Sequence, residues 1–395
     1  MGAEPTRGDG RIFTPVFIRL SVTSFLIFAT FQGLMAVIAP FMLAHHMTVA
    51  EVGETGAVFI LTAVAVRPFV GRELDRRGRL LIFWIGVGII AVAFGFYPWA
   101  TVLVTLVVLR ILHGVGWGMA STASATLVQD VVPATRRGEA TGYYANFNDL
   151  AMAFGPFLAV FALSRWGFGA FSEASAAAVL LAMALLWKLP EPPLRPHRTE
   201  TGRLIFPSAR LPAMIQLLMN LNFGAVMTFL PVIAVRRHLM FRVAGVDAYG
   251  YFYVAYALTL LLARGWLGRL SDRYGRVSVI TPGLALLTLS GVLLAWLHSF
   301  PWLLVFALVF GLGFGAAQPS VLAWTMERTP PEFRGAASGT YFAAFDLGIG
   351  LAALGFGPLA AAASFRAVML IASGATVAAG LLTATLGKGS RPRSD

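Results

Sequence analysis

The chain has 395 residues, of which 58% are hydrophobic and only 12% carry a formal charge; mean hydropathy is +0.76. Soluble domains sit nearer half apolar and a quarter charged, so a water-soluble enzyme or binding domain is excluded as the main reading. Cysteine is absent, which removes disulfides, thiolate metal sites and cysteine nucleophiles.

Apolar runs of roughly 20 residues, the length that crosses ~30 Å of hydrocarbon as a helix, recur along the chain. In order they predict twelve membrane spans, over 13–44, 52–71, 80–98, 100–125, 139–163, 168–189, 211–235, 247–267, 278–297, 301–325, 336–362 and 366–386. The runs are apolar on every face and lack strict alternation, which argues for an all-α membrane protein and against a β-barrel. Between the sixth and seventh runs, Pro190-Glu191-Pro192-Pro193-Leu194-Arg195-Pro196-His197-Arg198 cannot continue a helix. The predicted division is therefore a six-helix bundle over 1–189, a linker over 190–210 and a second six-helix bundle over 211–395. No small-residue cleavage site follows the first run, so it reads as a retained helix.

The net charge of +12 is explained by placement. Arg165, Arg236, Arg237, Arg242 and Arg366 fall on one side of the predicted membrane, and Arg67, Arg110 and Arg264 fall within spans. The remaining 22 of 30 basic residues share the side of the linker and both termini. By the positive-inside rule that side is cytoplasmic. Basicity is thus an orientation signal in a lipid bilayer, and nucleic-acid binding is not needed to account for it.

The chain also repeats itself at an offset of 197 residues. Arg67, Gly71, Asp75, Gly78 and Arg79 map onto Arg264, Gly268, Asp272, Gly275 and Arg276. Gly114, Gly116, Gly118 and Ala120 map onto Gly311, Gly313, Gly315 and Ala317; Pro133, Arg137, Gly138, Gly142 and Asp149 map onto Pro330, Arg334, Gly335, Gly339 and Asp346. Gly33 and Pro40 match Gly224 and Pro231 at offset 191, which places a six-residue insertion or deletion between the first two spans of a half. Six spans per half is an even number, so the copies enter the membrane in the same orientation, a parallel repeat about an axis along the membrane normal.

These residues resemble the major facilitator superfamily. Gly71-Arg-Glu-Leu-Asp75-Arg-Arg-Gly78-Arg79 is similar to its signature between helices 2 and 3, and Gly268-Arg-Leu-Ser-Asp272-Arg-Tyr-Gly275-Arg276 is a closer match. Arg110-Ile-Leu-His113-Gly114 resembles its helix 4 motif. Gly155-Pro156 resembles part of its antiporter motif, with Phe157-Leu158-Ala159-Val160 where a glycine pair usually follows. The resemblance spans about 13–386 and implies twelve helices in two pseudo-symmetric bundles, alternating access, and efflux of a drug or metabolite by proton antiport. The expected partners are a small-molecule substrate and protons, acting on a monomer in the cell membrane, with no cofactor. The doubled loop signature, which includes Arg79 and Arg276, reads as a conformational latch: Gly71 and Gly78, with Gly268 and Gly275 in the copy, allow tight connections, and Asp75 and Asp272 are expected to face helix N-termini or nearby arginines on the cytoplasmic side.

Ionisable groups inside a membrane are costly and mark function. Arg110 and Asp149 lie at a similar depth on consecutive predicted spans, ~15 Å in from opposite sides, and are expected to pair. Asp346 repeats Asp149, but Ala307 stands where Arg110 would repeat. Asp346 is therefore the expected proton or cation site, unpaired within its own half. Arg67 and Arg264 are expected to snorkel to the nearby interface. Spans 1, 4, 5, 7, 10 and 11 carry the polar residues, and Gln32, Arg110, His113, Asn146, Asn222 and Gln318 are the candidate cavity contacts; amides there also serve as helix glue. Phe28, Phe31, Met35, Met219, Phe223 and Met227 form a candidate apolar wall. Gly311 to Gly315 lacks the Lys-Ser/Thr of a phosphate loop, and His45-His46 lacks metal-site partners. The resulting expectation is a solute exporter. Sugar, amino-acid or metallophore transport on the same architecture is the alternative, followed by a non-transporting receptor.

Overall fold

The computed structural model describes residues 12–132, 137–187, 189, 191, 207–237, 239, 241–330 and 334–387. Polar caps and glycines set where its helices begin and end. The helix α1 (Pro15–Ala44) starts behind Thr14, whose hydroxyl accepts the Phe17 amide at 3.2 Å, with proline in the first turn. In α2 (Val49–Arg77) the Glu51 amide donates to the Thr48 hydroxyl and the Thr48 amide donates to the Glu51 carboxylate, a reciprocal cap. It stops at Gly78, where φ is 100°, and α3 (Arg79–Phe96) begins at the next residue. The repeat is obeyed: α7 (Gly250–Tyr274) stops at Gly275, φ 90°, and α8 (Arg276–Ala295) follows directly. A side chain at either glycine would strain the backbone, so both tight connections require glycine.

The remaining helices are α4 (Leu103–Val131), α5 (Arg137–Leu185), α6 (Arg210–Arg236), α9 (Phe300–Glu327), α10 (Arg334–Ala362) and α11 (Phe365–Leu386). Among the described residues, ten helical stretches are long and apolar enough to cross a membrane, and Gly250–Ala263 is a shorter apolar stretch. The stretch α5 is two helices joined at a kink at Gly167 (φ 85°, ψ 177°), between the expected spans 139–163 and 168–189. One departure from the sequence expectation stands out, a hairpin of β1 (Arg242–Val243) and β2 (Val246–Asp247), turned by Ala244 and Gly245 with positive φ. It lies between α6 and α7, where the second half carries its six extra residues.

Packing repeats in the same register as the sequence. A Cβ at Gly114 would lie 2.7 Å from the Phe59 carbonyl oxygen of α2, and one at Gly118 2.9 Å from that of Ala63. One at Gly116 points the other way, 2.8 Å from the Gly86 carbonyl of α3. In the second half Gly311 meets Tyr256 and Thr259 of α7, Gly315 meets Leu260, and Gly313 meets Gly283 and Leu287 of α8. Glycines two apart on a helix thus let α4 and α9 approach a neighbour on each side, where any side chain would overpack. Likewise α1 packs on α5 as α6 packs on α10. The halves meet mainly along two seams, α2 with α10 and α5 with α7, and α1 also touches α6.

Candidate functional site

The loop signatures clamp helices within each half. Arg79 is fully buried and its Nε donates to Asp130 of α4 at 2.9 Å, while Asp130 is itself only 5% exposed. The Glu191 carboxylate accepts the amides of Arg79 and Leu80 at 2.5 and 3.0 Å, an anion at the start of α3. In the other half Arg276 bonds Asp272 at 2.5 Å and Glu327 of α9 at 2.6 Å. Asp130 and Glu327 are 197 residues apart, so both clamps use the same repeat position. Gly71 and Gly268 have open space where a Cβ would stand, so close packing does not explain them. The side chain of Asp75 lies outside the described ones.

Removing one partner from a buried pair strands the other charge, whereas exposed pairs contribute little. Asp130→Ala is therefore expected to cost about 3 kcal/mol. Glu327→Ala, at a carboxylate that is 52% exposed, should cost about 1 kcal/mol or less. Thermal unfolding of the purified variants in detergent measures the difference.

Inside the membrane the expectation for Asp346 is corrected. It is ion-paired, and its cation comes from the opposite half: Arg67 Nη1 of α2 donates to Asp346 Oδ2 of α10. The pair crosses the α2–α10 seam, and both side chains are partly exposed, 28% and 24%. Repeat register places Arg264 and Asp149 at the equivalent positions of the α7–α5 seam; their side chains, and that of Asn146, lie outside the described ones.

Beyond this pair, away from the linker, the halves are tightly joined. A Cβ at Gly53 would lie 3.1 Å from the Gly357 Cα, and one at Gly250, its repeat equivalent, 2.7 Å from Val160. The Tyr249 hydroxyl donates to the Ala36 carbonyl at 3.3 Å, and the Asp247 amide donates to the Ser164 hydroxyl at 3.0 Å. The hairpin thus straps the second half onto α5 of the first. Burial raises the Asp247 carboxyl above its ordinary pKa, against the opposing pull of Ser164 and Arg242. Of the interhalf hydrogen bonds among the described residues, Arg67–Asp346 is the nearest to the linker face. Among the described residues, these close approaches between the halves lie on the side away from the linker.

Other candidates divide. Arg110 is 1% exposed, with its guanidinium 5.7 Å from the Phe59 ring centre, and its Nε and Nη1 have no hydrogen-bond partner among the described residues. His113 is fully buried, its Nδ1 bonded to the Tyr97 hydroxyl at 3.1 Å and its ring beside Phe94 of α3. Asn222 is buried towards Gly291 of α8 and Ser373 of α11. His113 and Asn222 therefore sit between helices of one half, which corrects their assignment to a central cavity; a helix has two polar-capable faces, and residue type does not say which faces the centre. Gln32 and Gln318 are half-buried, and the Gln318 carbonyl accepts the Tyr341 hydroxyl at 3.2 Å. Phe31 stacks on Trp117 and Phe59, with centroids 4.2 and 5.0 Å apart, and Phe28 lies 4.6 Å from Trp117. Phe223 stacks on Phe314 at 4.6 Å. Trp117 and Phe314 are again repeat equivalents, so each half carries an aromatic cluster at the same place.

Sequence reasoning passed over Arg67 as a partner, Asp130, Glu327 and Glu191. For Asp130 and Glu327 the constant offset was an available signal. Among the described residues no group of three His, Asp or Glu side chains is arranged to hold a metal.

Comparison with known proteins places this architecture. The sequence matches the Major Facilitator Superfamily over residues 20–246 and 212–395. The Staphylopine export protein of Staphylococcus aureus is 23% identical over 377 residues, covering 90% of this chain and 92% of that protein. Multidrug resistance protein 1 of Bacillus subtilis is 24% identical over 310 residues, covering 74% and 76%. The crystal structure of nucleoside transporter NupG superposes with a TM-score of 0.72 at 16% identity, covering 94% of this chain and 99% of that one. The doubled loop clamps, the paired seams and the family match across the chain agree: this multi-span membrane protein belongs to the Major Facilitator Superfamily.

Proposed function

We propose that the protein exports a small organic solute in exchange for protons, by alternating access between two six-helix halves. In this reading α5 supplies two spans, one on each side of Gly167, and α7 supplies another, which brings the ten long stretches to twelve. The linker and both termini face the cytoplasm, as the distribution of basic residues favours. The names of the staphylopine and multidrug relatives support export.

The observation that carries the reading is the Arg67–Asp346 pair across the seam. With the far side closed, Arg67 stands as the counter-ion of the Asp346 carboxylate. Opening that side parts α2 from α10, and a carboxylate left without its cation in a low-dielectric seam takes up a proton. Closing it brings Arg67 back and expels the proton towards the linker face. Asp149 and Arg264 are proposed to act likewise across the α5–α7 seam, with Gln32, Gln318 and the two aromatic clusters contacting solute. The match to the Staphylopine export protein over nearly the full length favours, as a second reading, a staphylopine-like solute in place of a drug.

Proteoliposomes with an imposed pH gradient test this reading, using solutes first found by growth protection against a panel of toxic amphiphiles. Antiport moves the solute towards the acid compartment. Movement towards the alkaline compartment would mean symport, and movement indifferent to the gradient would mean uniport.

A further inference from the structure

Basic residues are scarce on the face away from the linker, and three of its five arginines stand together. Arg236, Arg237 and Arg366 line a cavity of 410 Å³ between the end of α6, the end of α8 and the connection from α10 to α11. Among the described residues, no carboxylate lines it. Two of the guanidinium groups are held by aromatic rings, which position a cation without neutralising it: Arg236 lies 5.2 Å from the Phe365 ring centre and Arg366 5.1 Å from that of Trp296. The 22-residue helix α11 also begins at the cavity wall. Ser364 caps the Ala367 amide at 3.1 Å, while the first-turn amides of Phe365 and Arg366, both lining residues, have no carbonyl ahead of them in the helix. Guanidinium groups and a positive helix end thus converge on one space without an anion among its lining side chains.

We propose that this cavity binds a phosphate group, carried by the headgroup of an anionic phospholipid. Planar guanidinium forks and free helix amides match the tetrahedral oxygens of phosphate. The surroundings point to a lipid as the carrier. Trp296 is 44% exposed beside Arg366, as expected of a ring at the membrane–water boundary, and alanines form the apolar part of the wall. Such a site also accounts for three arginines standing together on a face that the positive-inside rule depletes.

The test uses purified full-length protein in an uncharged detergent, with short-chain phosphatidylglycerol, short-chain phosphatidylcholine and inorganic phosphate as separate probes. Binding is read by native mass spectrometry and by thermal shift. Saturable phosphatidylglycerol binding is expected, weakened about tenfold or more in Arg236→Gln and in Arg366→Gln. It should be unchanged in Arg242→Gln, an arginine on the same face but outside the cavity. Unfolding temperatures without added lipid check that each variant is folded. If inorganic phosphate binds as tightly and is lost in the same variants, the phosphate site stands with a free anion as its source. Equal loss in Arg242→Gln, or undiminished binding in both cavity variants, would overturn it.

Discussion

Oxidation of a Gly56→Cys/Ala353→Cys double variant is expected to form a disulfide across the α2–α10 seam and to stop transport, with recovery on reduction. A Cβ at Gly56 lies 3.4 Å from the Ala353 Cβ, at the short end of the range that a disulfide spans. The chain has no cysteine of its own, so no native thiol competes, and a disulfide within one monomer is the intended cross-link. The bond fixes the side away from the linker shut, whereas alternating access requires the seam there to open. Transport of a panel-identified solute, before and after dithiothreitol, measures the effect. An oxidised variant that is fully cross-linked yet transports at the reduced rate would mean that these helices never separate.

The second large effect concerns the charge pair. Asp346→Asn is expected to abolish proton coupling while leaving a folded protein, because the amide is neutral at every pH, like the protonated acid, and carries no proton between states. Arg67→Gln strands the carboxylate. At about a quarter exposure for each partner the penalty falls between those of exposed and buried pairs, about 1–3 kcal/mol. The Arg67→Gln/Asp346→Asn double variant should regain most of that stability, since no uncompensated charge remains, yet stay uncoupled. Thermal unfolding and proton flux together separate the two roles. Coupled transport by the double variant would leave the pair with a packing role alone.

How much of this was legible in the sequence depends on what each residue's neighbours are. Glycines at 114, 116 and 118 and at 311, 313 and 315 announced close packing, and the structure spends them on neighbours in the same register. The change of offset from 197 to 191 announced an insertion or deletion between the first two spans of a half. Its form as a hairpin was not readable, because two-residue strands leave no periodic pattern. The partner of Asp346 was missed for a geometric reason. Within its own half Ala307 stands where arginine would repeat, whereas the partner lies across the seam on α2. Which turn of α2 faces which turn of α10 is a property of docked bundles and is written in neither helix alone. His113 and Asn222 were misplaced because polar residues on a helix reveal depth and leave direction open. Asp130 and Glu327 were in register but differ in type, and the clamp they form emerged only from the positions of Arg79 and Arg276.

The central claim is that proton binding at Asp346 and opening of the face away from the linker are one equilibrium. The state in which Arg67 has left the carboxylate binds the proton more tightly, so by linkage acid must favour it. Spin labels at Glu54→Cys of α2 and Ala361→Cys of α10, both exposed near that end, report the separation of that seam by electron–electron resonance without need of a known solute. The distance distribution is predicted to shift to longer values as pH falls from about 8 to about 5, and Asp346→Asn should show the long distance at every pH. A distribution that ignores pH in the unmodified pair, or that moves with pH equally in Asp346→Asn, would contradict the account.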